Sequence, residues 1–357
     1  MSSLCYSIFR LDPYRGCSHN CQYCYTKMLP GYSVIPIPLD NYPLALAKAL
    51  NKLDKTGIKL PPFRLSTLTD PFQPIERVKK ISLGILNIAK KKNIHLIIST
   101  KSKLVAKSPW LDIIKELSDE KRVIVQITIT LIDNDKSKIL EPGAPVPEDR
   151  FKTVEKIASE NIPIILRLQP IFPFLNDNPE FFEEYARNAK AAGAKQVIAE
   201  FYRFLSWKEL IIFKKIMKED HFKRVTKREM WEKYPLSSHK RPRIEIRLKT
   251  YKTLRETLDR NGLEFSTCRE GFYFLHTAKN CCGMHFMKNY KLRPTLYESQ
   301  NNIEIDSEKY LTIEEIEKIP LKKLKLKLKN HYKLLEKVAR KPQIIGIPNL
   351  KKLGKII

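Results

Sequence analysis

Glycine is scarce in this chain, 11 of 357 residues, and none of it forms a glycine-rich phosphate loop, so the P-loop and dinucleotide-fold routes to nucleotide chemistry are not expected. No run of 18 or more apolar residues occurs. The most apolar stretch, Pro163 to Leu175, is interrupted by Arg167, Pro170 and Pro173, and a membrane span is therefore not expected. The N-terminal MSSLCYSIFR lacks a basic segment leading into an apolar core, which argues against secretion. No internal repeat is visible. Between Cys24 and Cys268 there is no cysteine at all, and the seven present are odd in number and clustered. That distribution suits metal ligands in a reducing compartment better than a disulfide framework, and it predicts a cytoplasmic protein.

What is present starts with RGCSHNCQYCYTK, residues 15–27. Cys17, Cys21 and Cys24 stand in the spacing C-x3-C-x2-C. Three thiolates so close can hold three irons of a cubane iron–sulfur cluster. Such clusters normally take four cysteines, so the fourth iron keeps an open coordination site. An electron-transfer ferredoxin would not leave it free. His19, inside the loop, reads as a polar lid or hydrogen-bond donor, and Cys5 as a core residue.

The chain carries 66 Lys+Arg against 39 Asp+Glu, a net charge of +27. The excess is +9 over residues 1–205 and +18 over the shorter 206–357. Two readings stand: a surface for a polyanion such as DNA or RNA, or the background charge of a lysine-rich proteome.

Residues 1–205 alternate strands and helices. Strands are expected at 7–11, 63–68, 95–98, 123–129, 163–168 and 196–201, and helices at 41–55, 76–92, 110–117, 150–159 and 178–192. Alternation of this kind implies parallel strands joined by right-handed crossovers. Six units are too few for a closed eight-fold barrel, so the expected fold is α/β, a partial (β/α)6 barrel over residues 1–205. Residues 206–357 form the second expected unit, a mainly helical, basic extension with helices at 207–218 and 251–261 and a short helix capped by Thr312 and Glu315. From Pro320 to the end, 12 basic residues face one acid, Glu336. Leu321, Leu324, Leu328, Leu335 and Val338 predict a basic amphipathic helix, either docked with a solvated lysine face or free to meet a polyanion; the LKLKLK run could alternate as a strand instead.

In a parallel barrel the reactive groups gather at the C-terminal strand ends. Those ends offer the cysteine loop, Thr69-Asp70, Ser99-Thr100-Lys101, Thr128 with Thr130, Arg167 with Gln169, and Glu200 with Tyr202.

The cysteine loop resembles that of the radical S-adenosylmethionine (SAM) superfamily. Pro13-Tyr14-Arg15-Gly16-Cys17, Thr69-Asp70-Pro71-Phe72-Gln73-Pro74-Ile75-Glu76, Ser99-Thr100-Lys101-Ser102, Glu141-Pro142-Gly143-Ala144-Pro145 with Arg150, and Pro170-Ile171-Phe172-Pro173 are similar to its spore photoproduct lyase-like, or DNA repair photolyase-like, branch. The resemblance covers roughly residues 5–205. It implies a 4Fe–4S cluster on Cys17, Cys21 and Cys24, with SAM chelating the open iron. One electron, from a donor such as a ferredoxin or flavodoxin, would cleave SAM to methionine and a 5′-deoxyadenosyl radical that takes hydrogen from a substrate. By the same resemblance Tyr23 lies against the adenine, Thr69 and Asp70 replace the stretch that meets the SAM amino group, Lys101 reaches the carboxylate, and Thr128 and Arg167 contact ribose or carboxylate. One departure matters: the lyase itself carries a hydrogen-donating cysteine near the end of strand two, where this chain has Thr67-Leu68-Thr69. Cys268, Tyr202 and Tyr273 are the alternative donors, unless the substrate differs.

Cys268, Cys281 and Cys282 read three ways: an auxiliary metal site, zinc or iron–sulfur, with His276 or His285 as a fourth ligand; a thiol hydrogen donor; or three inert core cysteines. For the whole chain the leading expectation is a radical SAM enzyme acting on nucleic acid, as a lyase or in repair or modification. A peptide or small metabolite is the second substrate class. A non-catalytic, metal-stabilised nucleic-acid-binding protein is the reading of a different kind.

Overall fold

A computed structural model of the chain describes residues 4–6, 9–234, 237–301, 303–304 and 306–340. Strands β1 (Phe9–Leu11), β2 (Phe63–Leu65), β3 (Leu96–Thr100), β4 (Val123–Thr128), β5 (Ile164–Ile171), β6 (Gln196–Phe201) and β7 (Glu264–Thr267) lie side by side in chain order. Every neighbouring pair is parallel, and β1 and β7 are the two edges. The fold is an α/β, open parallel barrel, with a helical C-terminal region.

Both faces of the sheet are covered, which is why the central strands read as continuous runs of β-branched residues. Outward-facing Leu96, Ile98, Val125, Ile127, Leu166, Leu168, Val197 and Phe265 join the main core with the helices. Inward-facing Ile97, Ile124, Ile165 and Ile198 pack instead on Cys281, Cys282, Met284, Met287, Leu292 and Tyr310. The C-terminal region thus plugs the barrel from the end where the strands begin. Gly283 makes that approach possible: at φ +76 a Cβ there would stand 1.9 Å from Ile165 Cδ1.

The sheet holds one strand more than the sequence predicts. Helix Ile244–Arg260 crosses over from β6 and delivers β7 alongside it. The helix expected over 76–92 is also two, Glu76–Lys79 and Ile81–Lys91, separated by Lys80 at φ 51. The buried Glu76 carboxylate accepts from Ser82 N (3.0 Å) and Leu83 N (2.9 Å), capping the second helix while still receiving Trp110 Nε1 at 2.8 Å and the Tyr14 hydroxyl. One glutamate therefore ties β1's exit, the turn and the next helix together.

The lysine-rich tail is helical from Lys322 to Arg340 and docked. Among its described side chains Leu328, His331 and Leu335 are buried, and His331 Nε2 lies 2.7 Å from the Pro294 carbonyl. The side chain expected at Val338 and residues 341–357 lie outside the described part. Among the described residues no helix is long and apolar enough to cross a membrane.

Candidate active site

The loop of Cys17, Cys21 and Cys24 leaves β1 and ends in a 3-10 helix, Tyr25–Met28. It is held from two sides by the stretches that carry the family resemblance. Gln73 accepts from Ser18 N (2.9 Å) and donates to the Gly16 carbonyl (3.3 Å). From the other side Gln22 N donates to the Leu140 carbonyl (2.7 Å) and Gly143 N to the His19 carbonyl (3.1 Å). Only glycine fits at 143, because a Cβ would lie 2.0 Å from the Ser18 oxygen.

Burial, and then the Asp70 carboxylate, push the Cys17 thiol up to about 11; burial likewise lifts Cys21 to about 12 against the Lys101 charge. Without a metal these thiols stay protonated, and binding one would release protons. Among the described residues no three Cys, His, Asp or Glu side chains converge as on a single ion. Thiolates that ligate separate irons of a cluster stand further apart than ligands of one ion. Three thiols on one braced loop are the donor set that a 4Fe–4S cluster with one open iron takes.

Asp70 is saturated by the protein. It accepts from Phe72 N (2.9 Å), Thr100 Oγ1 (2.7 Å) and Lys101 N (2.7 Å), and His19 Nδ1 stands 3.3 Å from it. Burial pushes its carboxyl up, but His19, Thr100 and the Lys101 amide outweigh burial and hold it at about 2. Four contacts use up the lone pairs of a carboxylate. Asp70 therefore joins the cysteine loop to the end of β3, and His19, expected as a lid or donor, is its partner. Thr69 lies beside it, with its hydroxyl 3.3 Å from Ser66 Oγ.

Glu141 forms the second brace. It is ion-paired with Arg150, both fully buried, receives the Tyr23 hydroxyl and Thr130 Oγ1 (3.1 Å), and has Lys101 Nζ 3.8 Å away. Arg150 also donates to the carbonyls of Pro145 (2.7 Å) and Thr128 (3.1 Å). Burial raises and Arg150 and Lys101 lower the Glu141 carboxyl, which settles at about 2. Tyr23 meets Phe172 edge-on at 5.3 Å, and the Lys101 ammonium lies 5.7 Å from its ring centre. Burial alone would weaken the Lys101 charge; Cys21 and Glu141 beside it raise its pKa on balance. A fixed cation thus stands beside the cysteine loop.

Arg167, Thr128 and Gln169 face the barrel interior. Arg167 donates to Gln126 Oε1 (2.8 Å) and to Gln169 Oε1. Sequence reasoning passed over Arg64, which reaches the same Gln126 oxygen at 2.9 Å, Ser99 Oγ at 3.0 Å and Cys282 Sγ at 3.1 Å. Its strand, Phe63–Leu65, is three residues long and carries no sequence signal of the face that Arg64 occupies.

The three alternative donors part company. Cys268 follows β7, its N–H bonded to the Ala199 carbonyl at 2.8 Å, with Glu200, Arg269, Arg167 and Cys282 around the thiol. Burial pushes it up to about 12, so it keeps its proton. Tyr202 is buried in an aromatic cluster with Phe172, Phe204 and Phe213, and among the described residues its hydroxyl has no hydrogen-bond partner. Tyr273 stacks on Tyr297 at 4.3 Å and donates to the Leu4 carbonyl at 3.1 Å, among the residues that pack with Leu296 and Leu335.

The second cysteine group is not arranged as a ligand set among the described residues. Cys281 and Cys282 have sulfurs 3.9 Å apart in the barrel plug. His276 Nε2 accepts from Thr267 N at 3.0 Å, and His285 Nε2 stands 2.9 Å from Glu264. Among the described residues no second metal centre is shown.

Comparison with known proteins agrees with this geometry. The family model described as Radical SAM superfamily matches residues 11–189. An uncharacterised protein of Mycobacterium tuberculosis is 26% identical over 195 residues, 53% of this chain and 57% of its own length; the chain thus spans little over half of that relative. Spore photoproduct lyase complexed with dinucleoside spore photoproduct superposes with TM-score 0.53 at 15% identity, over 71% of this chain and 75% of its own. A variant of the same lyase with bound AdoMet and the photoproduct gives TM-score 0.51 at 15% identity, over 72% and 75%. At these identities the likeness is one of fold.

Proposed function

Since the chain belongs to the radical SAM superfamily, we propose that it binds a 4Fe–4S cluster and SAM at the barrel mouth and removes hydrogen from a nucleic-acid substrate, as a lyase or in repair or modification. Cys17, Cys21 and Cys24 would hold the cluster, which with SAM supplies reductive cleavage and hydrogen abstraction. The observation that carries the reading is the convergence of Gln73, Asp70, Gly143 and Glu141 on one cysteine loop.

The chain's own residues bind, orient and charge that mouth. Lys101 sets a fixed positive charge beside Cys21 and Glu141, suited to the SAM carboxylate. Tyr23, its hydroxyl held by Glu141 and Thr130, offers a ring for the adenine. Thr69, Thr128 and Arg167 remain candidates for the amino group, ribose and carboxylate. Asp70 acts through His19 and the β3 end and is a positioning residue. Cys268 is the best-placed hydrogen donor, a protonated thiol at a strand end.

Support for nucleic acid comes from the net charge of +27 and from a fold shared with a spore photoproduct lyase complexed with dinucleoside spore photoproduct. A peptide or small metabolite is the alternative. The non-catalytic reading falls with membership of the superfamily.

Anaerobic reconstitution followed by dithionite tests the reading. A 4Fe–4S absorbance and release of 5′-deoxyadenosine from SAM are expected, with turnover sensitive to added DNA or RNA. SAM cleavage indifferent to polyanions and salt would favour the metabolite class.

A further inference from the structure

Six of the thirteen exposed large hydrophobic side chains among the described residues lie in one short stretch. Tyr25, Met28, Leu29, Val34, Ile35 and Ile37 are 42–78% exposed, Ile35 the most. Apolar side chains scattered singly over a surface are ordinary, but a group of them marks a place where another molecule sits. This group begins directly after Cys24, the last of the three loop cysteines.

The stretch is tied to the outside of the cysteine loop. Cys17 N donates to the Ser33 carbonyl at 3.0 Å, and Thr26 Oγ1 lies 2.9 Å from Cys24 Sγ. Strand Ile37–Pro38 pairs antiparallel with Tyr14–Arg15, which sets Ile37 opposite Arg15. Gln73, Leu140 and Gly143 hold the loop from its other sides. A molecule seated on this apolar lip therefore meets chain that is bonded directly to Cys17 and Cys24.

Charge and composition narrow the occupant. Between Arg15 and Lys48 the one acid is Asp40, and Lys79 pairs with it at 3.6 Å. Arg15 is exposed, and Lys27 donates to the Asn20 carbonyl at 3.4 Å; neither has a carboxylate within ion-pair distance among the described residues. A second copy of the chain carries the same +27 and is repelled. A nucleic-acid backbone is held by many cations along its phosphates, and two cations beside six apolar groups make a poor match. A protein surface with an apolar centre and an acidic rim fits both features.

We propose that the lip from Tyr25 to Ile37 is the docking surface for a small acidic one-electron carrier protein. The inference rests on the radical SAM reading, in which each SAM cleavage takes one electron, and it says where that electron enters. The carrier is oxidised by one electron and the cluster reduced by one; no bond forms or breaks and no proton moves in this step. Electron transfer weakens steeply with distance, so a carrier has to sit against the cysteine loop. Encounters of this kind use small interfaces, under about 1,200 Å², which suits a lip of six side chains.

The test titrates an oxidised acidic ferredoxin, and separately an oxidised acidic flavodoxin, into the reconstituted full chain by calorimetry. Either carrier in reduced form, or dithionite, then drives SAM cleavage. At least one carrier is expected to bind wild type, more weakly as salt rises. Val34→Ser combined with Ile35→Ser weakens that binding about tenfold or more and raises the carrier's KM in step. Arg15→Gln weakens it about threefold and flattens the salt dependence, while exposed Ile211→Ser leaves it unchanged. Cluster absorbance, melting temperature and dithionite-driven yield stay at wild-type levels in every variant, because the substituted side chains are exposed. No binding of either carrier, or equal binding by wild type and the lip variant, would overturn the docking surface. So would a dithionite-driven yield that falls in step with the carrier-driven one, which would place the lip in the active site. Lip variants that lose DNA or anionic-vesicle binding while keeping the carrier would overturn it too. Dithionite needs no docking, so its failure to yield 5′-deoxyadenosine from wild type would sink the catalytic reading, whereas the carrier titration decides this one.

Discussion

His19 Nδ1 stands 3.3 Å from the Asp70 carboxylate, and both side chains are buried. That contact links the cysteine loop after β1 to the turn after β2, and Asp70's other oxygen bonds reach the end of β3. Asp70 is held at about 2, below its ordinary 3.8. A depressed carboxyl contributes stability that is complete above its unfolded pKa and lost as pH falls through the folded one. Acid unfolding of wild type should therefore carry a component between about pH 4 and pH 2, worth about 2 kcal/mol. Asp70→Asn should lose that component and, once reconstituted, retain less iron through gel filtration. Identical acid profiles for the two proteins would contradict the assignment.

Glu141 and Arg150 are a pair that neither partner can leave cheaply. Removing one from a fully buried ion pair strands the other, at about 3–5 kcal/mol. Glu141→Ala and Arg150→Ala should each fall in that range by urea denaturation. The double variant should lose far less than the sum, since the two share one interaction. Additive losses would show that they act separately.

Gly283 is the narrowest point of the barrel plug. Its φ of +76 and the 1.9 Å approach of Ile165 Cδ1 to an added Cβ predict that Gly283→Ala costs about 1–3 kcal/mol through overpacking and backbone strain. Thermal unfolding reads this directly. An unchanged melting temperature would mean that the plug is looser than described.

Cys268 should matter to turnover and not to cofactor loading. Its thiol is raised to about 12, so it presents S–H throughout the neutral range. Cys268→Ala should keep the 4Fe–4S spectrum and substrate-independent release of 5′-deoxyadenosine while altering or losing the final product. Product analysis with an accepted substrate decides it, and an unchanged product distribution removes Cys268 as the donor.

Six of the seven strands were legible in the sequence, because buried parallel strands write themselves as β-branched runs with turn signals at their ends. The seventh, Glu264–Thr267, has four residues and one alternation, lost beside a cysteine-rich segment. Lys80 looked helical because a left-handed residue leaves no trace when a distant carboxylate, Glu76, re-caps the chain beyond it. The site was legible as motifs and not as contacts. Asp70, Gln73 and Glu141 stood out by resemblance, but that they brace the loop depends on partners up to 118 residues away in sequence, as Tyr23 and Glu141 are. Arg64 escaped notice because one charge in a short strand gives no sign of which face it occupies.

The most direct test is single-turnover SAM cleavage by the anaerobically reconstituted protein with dithionite, alongside Cys17→Ala, Cys21→Ala and Cys24→Ala. Wild type should show 4Fe–4S absorbance and yield methionine and 5′-deoxyadenosine in equal amounts, and each variant should yield neither. No 5′-deoxyadenosine from a wild type that carries its full cluster, or undiminished yield from any of the three variants, would contradict the account.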